Sequence, residues 1–257
     1  MGTYIKAKRI IVNADDFGRN EAVTREIETM IEKHCISSTT VMANGTCLDE
    51  AASFARKHPE ISFGAHICLS EFDSITKPDV FKKYGLTDEA GRFIKMAIFK
   101  IGNHAPELLA AIKAEIEAQI DILRDYQIPL SHCDSHHHVH TLYWLHRLYG
   151  ETVKEKRITK VRIARHFERR NLFRDPAAWL KPWLKRELVI NYYKSHFETT
   201  KQFCSYAEYV SSPDTYGGIV ELMCHPGHPD YQKEYDMVKD KVVFTNPGIR
   251  LISYLDL

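Results

Sequence analysis

The feature that most constrains the fold of this chain is an alternation of strand-like and helix-like segments in its first part. Short runs of apolar and β-branched residues, typical of buried strands, lie at Arg9 to Val12, Ser38 to Met42 and Ile61 to Leu69. Helical segments separate them: one follows Asn20, a residue type that caps helix N-termini, and another is Asp49 to Lys57. Because strand–helix–strand repeats form parallel β/α units, the sequence predicts an α/β fold.

The rest of the chain continues this alternation less regularly. Its clearest helix is Pro106 to Tyr126, in which the proline suits the first turn and the apolar residues form one stripe. Further strands are predicted at Leu130 to Asp134, Lys160 to Ala164 and Gly218 to Met223, and further helices at Leu142 to Lys154 and Tyr206 to Val210. Residues 71–105 lack periodicity and residues 166–200 are irregular, basic and aromatic. Both are interpreted as insertions or lid segments of a single domain, 1–257.

Composition and charge argue against several classes of partner. The formal net charge is +1, which gives no electrostatic reason to expect nucleic acid or an anionic membrane. No apolar run approaches the ~18 residues of a transmembrane helix, and no signal peptide precedes the first strand. The six cysteines include no CxxC pair, so we expect a cytoplasmic protein with free thiols. Basic residues between 157 and 186, Arg162 among them, are interpreted as a solvated face, with a patch for an anionic partner as the alternative.

Histidines are concentrated in the segment His132 to His140, which holds five of the 14 in the chain. Imidazole binds divalent metals and transfers protons near neutral pH, so the cluster favours a metal-dependent enzyme. His136 and His140 are four apart, as in helical zinc sites, but no glutamate follows His136 and the HExxH protease motif is not matched. Residues of this region are assigned to orient metal ligands or to contact substrate: Asp134, His138, His140 and Arg162.

Acidic and imidazole side chains lie just after, or at the end of, four of the predicted strands, at Asp15-Asp16, His66, His136 and His225. Because the carboxyl ends of parallel strands meet at one edge, we expect these side chains to converge. Two imidazoles and one carboxylate can hold a divalent cation and leave positions open for water and substrate. The adjacent carboxylate can accept a proton from the attacking water, and His225 is a candidate general acid. Taken singly, Asp15-Asp16 fits a turn and capping pair, His66 a core histidine and His225 a loop histidine.

Several blocks of the chain resemble one family. Ile11 to Gly18 looks like the opening signature of the YdjC-like carbohydrate deacetylases, the group that includes chito-oligosaccharide deacetylase. The similarity continues at Ser37 to Thr40 with Asn44-Gly45, Gly64 to Leu69, Asp134 to His140, Glu221 to Gly227 and Gly248 to Tyr254. The chain departs from the family pattern in two places. Tyr231 to Asn246 is shorter than the stretch in which members carry a further helix, and residues 166–200 have no recognised counterpart.

The resemblance implies a deformed, TIM-barrel-like (β/α) barrel related to the polysaccharide deacetylases. It implies one divalent metal ion held by Asp16, His66 and His136, with Asp15 as general base and His225 as general acid. Magnesium is the metal usually described for the family, and zinc occurs in the related polysaccharide deacetylases. Two imidazoles suit zinc, manganese or cobalt better than magnesium, so the identity of the metal stays open.

The activity predicted from this resemblance is metal-assisted hydrolysis of an N-acetyl group on a small carbohydrate. The substrate class is a chito-oligosaccharide or another N-acetylglucosamine derivative. Two alternatives stay open: another metal-dependent amide or ester hydrolase acting on a non-sugar substrate, and a non-catalytic sugar-binding protein. The presence of both Asp15 and Asp16 argues against the binding protein, because metal binding alone needs only one of them. A homodimer is compatible with this prediction.

Overall fold

The fold is built on parallel strands with helices outside them. The computed structural model describes residues 8–102, 104–164 and 176–257. The strands are β1 (Lys8–Phe17), β2 (Ser38–Val41), β3 (Ser62–Ile67), β4 (Leu130–Ser135), β5 (Gln202–Ser205), β6 (Ile219–Cys224) and β7 (Ile249–Ile252). The α-helices are α1 (Glu21–Glu32), α2 (Leu48–Lys57), α3 (Asp79–Lys83), α4 (Pro106–Asp125), α5 (His146–Glu155), α6 (Pro176–His196), α7 (Tyr206–Ser211) and α8 (Gln232–Lys239). The predicted α/β class is confirmed.

Strand β1 lies at the centre of the sheet. Neighbouring strands follow the order β4-β3-β2-β1-β6-β5, and every pairing is parallel. β7 pairs with the first half of β1, whereas β2 pairs with its second half. The carboxyl ends of β1, β3, β4 and β6 therefore lie at one edge, where α/β folds bind their ligands.

The sheet closes through short irregular segments between β4 and β5. The backbone N–H of Cys133 in β4 donates to the carbonyl of Lys160 at 3.0 Å, and the N–H of Val161 donates to the carbonyl of Glu198 at 3.2 Å. Soon after Glu198 the chain enters β5, which pairs with β6. The ring confirms the predicted deformed (β/α) barrel, but the predicted strand Lys160 to Ala164 is reduced to isolated bridges.

Three predicted boundaries differ from those in the structure. β1 runs on to Phe17, so Asp15 and Asp16 belong to the strand itself. α5 begins at His146, because the preceding segment His136–Thr141 forms 3₁₀ turns. Part of 166–200 is helical as α6, where Pro182 and the lack of a single apolar stripe conceal the helix in the sequence. The expectation for residues 166–175 lies outside the described residues.

Two segments that the sequence left uncertain pack against the barrel. Residues 71–105 contain α3 and a 3₁₀ turn, and they bury Phe81, Phe93 and Ile98 in the core. The stretch Tyr231 to Asn246 contains α8, so a helix precedes the final strand. Within the described residues, every helix is too short or too polar to cross a membrane.

Candidate functional site

A cavity of about 420 Å³ opens at the carboxyl ends of the strands. It is lined by Asp15 and Asp16 from β1, His66 from β3, and His136 and His225, which directly follow β4 and β6. The structure thus brings together the five residues to which the sequence analysis gave catalytic or metal-binding roles. Segments that are far apart in sequence meet here because each one ends a neighbouring strand of the same barrel.

Asp16, His66 and His136 form a compact group of side chains of the types that hold metal ions, and this trio is called the metal-binding group below. Asp16 Oδ1 lies 3.1 Å from His66 Nε2 and 2.9 Å from His136 Nδ1, and all three residues are buried. Although these atoms are close together, neither Asp16 Oδ1 nor His66 Nε2 makes a hydrogen bond of good geometry among the described residues, which is costly for buried polar atoms. One carboxylate and two imidazoles, aimed at a common point, fit a divalent cation such as zinc, manganese or cobalt.

The backbone of β1 explains why two consecutive aspartates can face the same cavity. Side chains alternate across a regular strand, so neighbours normally point in opposite directions. Here the register between β1 and β2 shifts between Ala14 and Phe17, and Asp16 has a φ of +74°, in the left-handed region. Gly18 lies two residues further on with a φ of +84°, a conformation that glycine adopts readily and that lets the chain turn after the strand. This irregularity aims both carboxylates at the carboxyl edge, and backbone strain of this kind is typical of functional sites.

A carboxylate behind His66 orients its ring. Asp134 lies opposite His66 in the β3–β4 register, and its Oδ1 is 2.6 Å from His66 Nδ1. Nδ1–H donation to Asp134 leaves Nε2 to face the cavity, which is the arrangement predicted for Asp134. Burial disfavours a charge on this imidazole, but Asp134, Asp16 and Asp15 outweigh it and raise the pKa of His66 to about 10.

Arg162 holds Asp15 in a fixed position. Its two terminal nitrogens donate to the two Asp15 oxygens, each at 2.7 Å. Arg162 Nη1 also lies 2.5 Å from Asp134 Oδ2, and Arg162 Nε lies 2.7 Å from Glu221 Oε1. The Arg162 side chain is 0% exposed. The interpretation of Arg162 as part of a solvated basic face is therefore wrong, because three buried carboxylates surround it. Its assignment as a residue that orients a ligand or contacts substrate stays a prediction. Burial opposes ionisation of Asp15, but the Arg162 guanidinium prevails and lowers the pKa of Asp15 to about 2.

His225 lies on the side of the cavity formed by the loop after β6. Glu234 of α8 accepts from the backbone N–H of His225 at 3.1 Å, and its carboxylate lies 3.5 Å from His225 Nδ1. The ring of Tyr231 stacks on the imidazole with centroids 4.4 Å apart. Burial favours the neutral ring, but Glu234, Asp15 and Asp16 together raise the pKa of His225 above its ordinary value.

The histidine cluster does not act as one unit. His137 and His138 both have a φ of 53°, so the chain turns sharply after His136 and the cluster is not an α-helix. His138 lines the cavity, as does His137, which contacts Ser70 Oγ at 2.8 Å through Nδ1. His140 is buried away from the cavity, where its Nε2 lies 3.2 Å from the carbonyl oxygen of Arg162. The four-residue spacing of His136 and His140 therefore does not place both at the metal-binding group.

Comparison with known proteins shows the family. The family model for YdjC-like proteins matches residues 9–250. The chain belongs to the YdjC-like protein family. A carbohydrate deacetylase of Listeria monocytogenes serotype 4a (strain HCC23) is 29% identical over 96% of this chain and 91% of its own length. A carbohydrate deacetylase of Halalkalibacterium halodurans is 27% identical over 86% of each chain. A crystal structure from Enterococcus faecalis V583, provisionally described as a cellobiose-phosphate cleavage protein, has the same fold, with a TM-score of 0.73, 22% identity, and coverage of 97% of this chain and 98% of that one.

The sequence analysis missed several residues of this YdjC-like site. Glu71 and Arg19 contact the metal-binding group, and Glu234 contacts His225. Arg19 directly follows the Asp15-to-Gly18 segment, and Glu71 lies four residues beyond β3, so a search for charged residues just past strand ends could have found both. Glu234 gives no such signal, because it lies in a helix and reaches the site only through the fold.

Proposed function

We propose that this YdjC-like protein is a metal-dependent carbohydrate deacetylase that hydrolyses the N-acetyl group of an acetylated sugar. The observation that carries the proposal is the placement of the Asp15 carboxylate beside the Asp16, His66 and His136 group in one cavity. The names of relatives that align with most of the chain support the carbohydrate and the reaction. Within that class, we propose a chito-oligosaccharide or another N-acetylglucosamine derivative as the substrate.

Asp15 and His225 supply the proton transfers of this reaction. A divalent cation held by Asp16, His66 and His136 would polarise the acetamide carbonyl and lower the pKa of a water molecule. Asp15 accepts a proton from the water molecule while the water oxygen attacks the carbonyl carbon. Arg162 keeps the Asp15 carboxylate ionised and in position. His225 donates a proton to the nitrogen as the C–N bond breaks, which releases acetate and the free amine of the sugar.

The rim of the cavity supports a carbohydrate substrate. Tyr231 is 42% exposed and lies on one side, and Phe99 and Met96 from residues 71–105 also line the cavity with large exposed side chains. Ligand cavities commonly combine apolar and aromatic walls with a few polar groups that fix orientation. A sugar ring offers both an apolar face and a hydroxyl rim, which suits such walls.

The test is acetate release from N-acetylglucosamine oligomers of increasing length. We expect acetate to form, to disappear after treatment with a chelator, and to return when zinc, manganese or cobalt is added back, because the three proposed ligands are buried and aimed at one point. Parallel assays with a simple acetyl ester and with an acylated non-sugar amide are the controls. Acetate release from those compounds but from no sugar would refute the carbohydrate substrate and favour the other hydrolases.

The pH profile should report His225. A general acid must carry its proton, so kcat/KM is expected to fall as the pH rises through the raised pKa of His225, at a pH above 6.5. Glu234→Gln removes a carboxylate that raises this pKa, so the alkaline limb should move to lower pH. Asp236→Asn, a change on the exposed side of the same helix, is the matched control and should leave the limb in place. An unmoved limb in Glu234→Gln would exclude His225 as the titrating acid.

A further inference from the structure

Glu71 contacts His136 on the side of the ring opposite to Asp16. Glu71 Oε2 lies 2.9 Å from His136 Nε2, and Asp16 Oδ1 lies 2.9 Å from His136 Nδ1. The imidazole is therefore held between two carboxylates. Glu71 is the first residue of the 71–105 segment, to which no role in the metal-binding group was assigned.

We propose that Glu71 is a positioning residue of the metal centre, and this inference rests on the metal centre of the proposed function. When Nδ1 of His136 binds a cation, the ring carries one proton, and that proton lies on Nε2. The Nε2–H then donates to Glu71, which fixes the tautomer and the orientation of the ring. The opposite tautomer would place a lone pair 2.9 Å from the Glu71 carboxylate, which is repulsive. Arg19 Nη1 also faces His136 Nε2 but at the longer distance of 3.4 Å, so the Glu71 contact decides the tautomer.

The two histidines of the centre are supported in the same way but through opposite nitrogens. His66 donates from Nδ1 to Asp134 and directs Nε2 to the cavity. His136 donates from Nε2 to Glu71 and directs Nδ1 to the same point. Each metal-binding imidazole thus has its own carboxylate behind it, and Glu71 is the counterpart of Asp134.

Arg19 holds the Glu71 carboxylate in place. Its Nη2 lies 3.0 Å from Glu71 Oε2, and its Nη1 lies 3.6 Å from Asp16 Oδ2. The guanidinium also lies over the ring of Phe72, 5.0 Å from the centroid. Because the Arg19 guanidinium contacts both carboxylates, it constrains the distance between Glu71 and Asp16. The His136 ring fits between these two side chains.

The loop that carries Glu71 is fixed to the barrel at both ends. On one side, Gln119 of α4 exchanges two hydrogen bonds with the backbone of Cys68, each at 2.8 Å. On the other side, the buried carboxylate of Glu115 accepts from the backbone N–H groups of Ile75 and Thr76, each at 2.9 Å. Both α4 side chains are fully buried. The position of Glu71 is thus set by the fold rather than by a freely moving surface loop.

The experiment measures Zn²⁺ affinity by competition with a chromophoric chelator. We expect Glu71→Ala to weaken Zn²⁺ binding about 10- to 100-fold, the usual effect of losing a group that orients a metal ligand. Glu71→Gln keeps an acceptor oxygen, so its loss of Zn²⁺ affinity should be smaller. Asp73→Asn removes an exposed carboxylate from the same loop without touching His136 and is the matched control. Thermal melts compare the folding of all four proteins.

A second readout follows the tautomer directly. In NMR spectra of ¹⁵N-labelled, Zn²⁺-loaded wild-type protein, we expect the His136 ring to carry its proton on Nε2. In Glu71→Ala we expect a mixture of the two tautomers or the loss of the Nε2–H form. The proposal is overturned if Glu71→Ala binds Zn²⁺ as tightly as Asp73→Asn, if the wild-type proton lies on Nδ1, or if the wild type binds no Zn²⁺. Acetate plays no part in these measurements. If Glu71→Ala binds Zn²⁺ more weakly but the wild-type protein deacetylates no sugar, the proposed function is refuted. The role of Glu71 as a positioning residue is then still supported.

Discussion

Replacement of Asp15 by Asn is expected to lower kcat/KM for deacetylation by about 10²–10⁴-fold, the usual contribution of a positioned general base. An amide has no useful basicity, so the attacking water would have no proton acceptor beside it. The three proposed metal ligands remain in Asp15→Asn, and the Zn²⁺ content of the purified protein should therefore equal that of the wild type. The measurement is the rate of acetate release at saturating metal.

Asp16→Asn is the control for this prediction, because the two aspartates are adjacent and differ in what they contact. Asp16 faces His66 and His136, so its replacement should reduce both metal affinity and activity. Asp15 instead contacts Arg162, so its replacement should reduce activity alone. Asp15→Asn with wild-type kcat/KM would remove Asp15 from the mechanism. Loss of the metal in Asp15→Asn would show that the two carboxylates do not have separate roles.

Replacement of Arg162 by Met is expected to destabilise the protein by about 3–5 kcal/mol, as is typical when one partner of a buried ion pair is removed. The change would leave the carboxylates of Asp15, Asp134 and Glu221 without the cation that they share. Arg162→Lys keeps the charge but cannot form both bonds to Asp15, so an intermediate loss is expected. Urea denaturation gives the free energy of unfolding of each variant.

The control for Arg162 comes from the same basic segment. Lys181 is exposed, and Lys181→Met should change the free energy of unfolding by less than about 0.5 kcal/mol. The difference in free energy of unfolding between Arg162→Met and the wild type should become smaller in acid. Asp15, with a lowered pKa, contributes stability above its unfolded pKa of 3.8, and this contribution is lost as the pH falls towards about 2. A loss below about 1 kcal/mol in Arg162→Met at neutral pH would contradict the buried network.

Local patterns in the sequence were sufficient for the fold class and for part of the candidate site. The strand–helix repeat predicted parallel β/α units, and Asn20 caps α1 as expected, because caps and periodicity depend on residues close in the chain. The position of polar residues after strands predicted that Asp16, His66 and His136 would meet, since parallel strands end at one edge. Their role as metal ligands stays a prediction until the metal is measured.

Local sequence patterns could not predict the contacts that depend on the paths of loops and on burial. Arg162 belongs to a basic run typical of a solvated face, yet the irregular bridge between β4 and β5 places it among three buried carboxylates. Helix α6 carries a proline and lacks a clear apolar stripe, so its pattern did not indicate a helix. Glu71 reaches His136 only because α4 fixes the intervening loop.

The sequence by itself determined the alternation of strands and helices in the first part of the chain, the resemblance to one family, and the acidic and imidazole residues at the ends of four strands. Only the tertiary structure decided which nitrogen of each imidazole faces the cavity, which carboxylate supports each ring, and that Asp15 is held by Arg162. The reason is physical. Periodicity and capping arise from neighbours in the chain, whereas tautomers, ion pairs and pKa shifts arise from atoms a few ångströms apart that different strands and loops bring together.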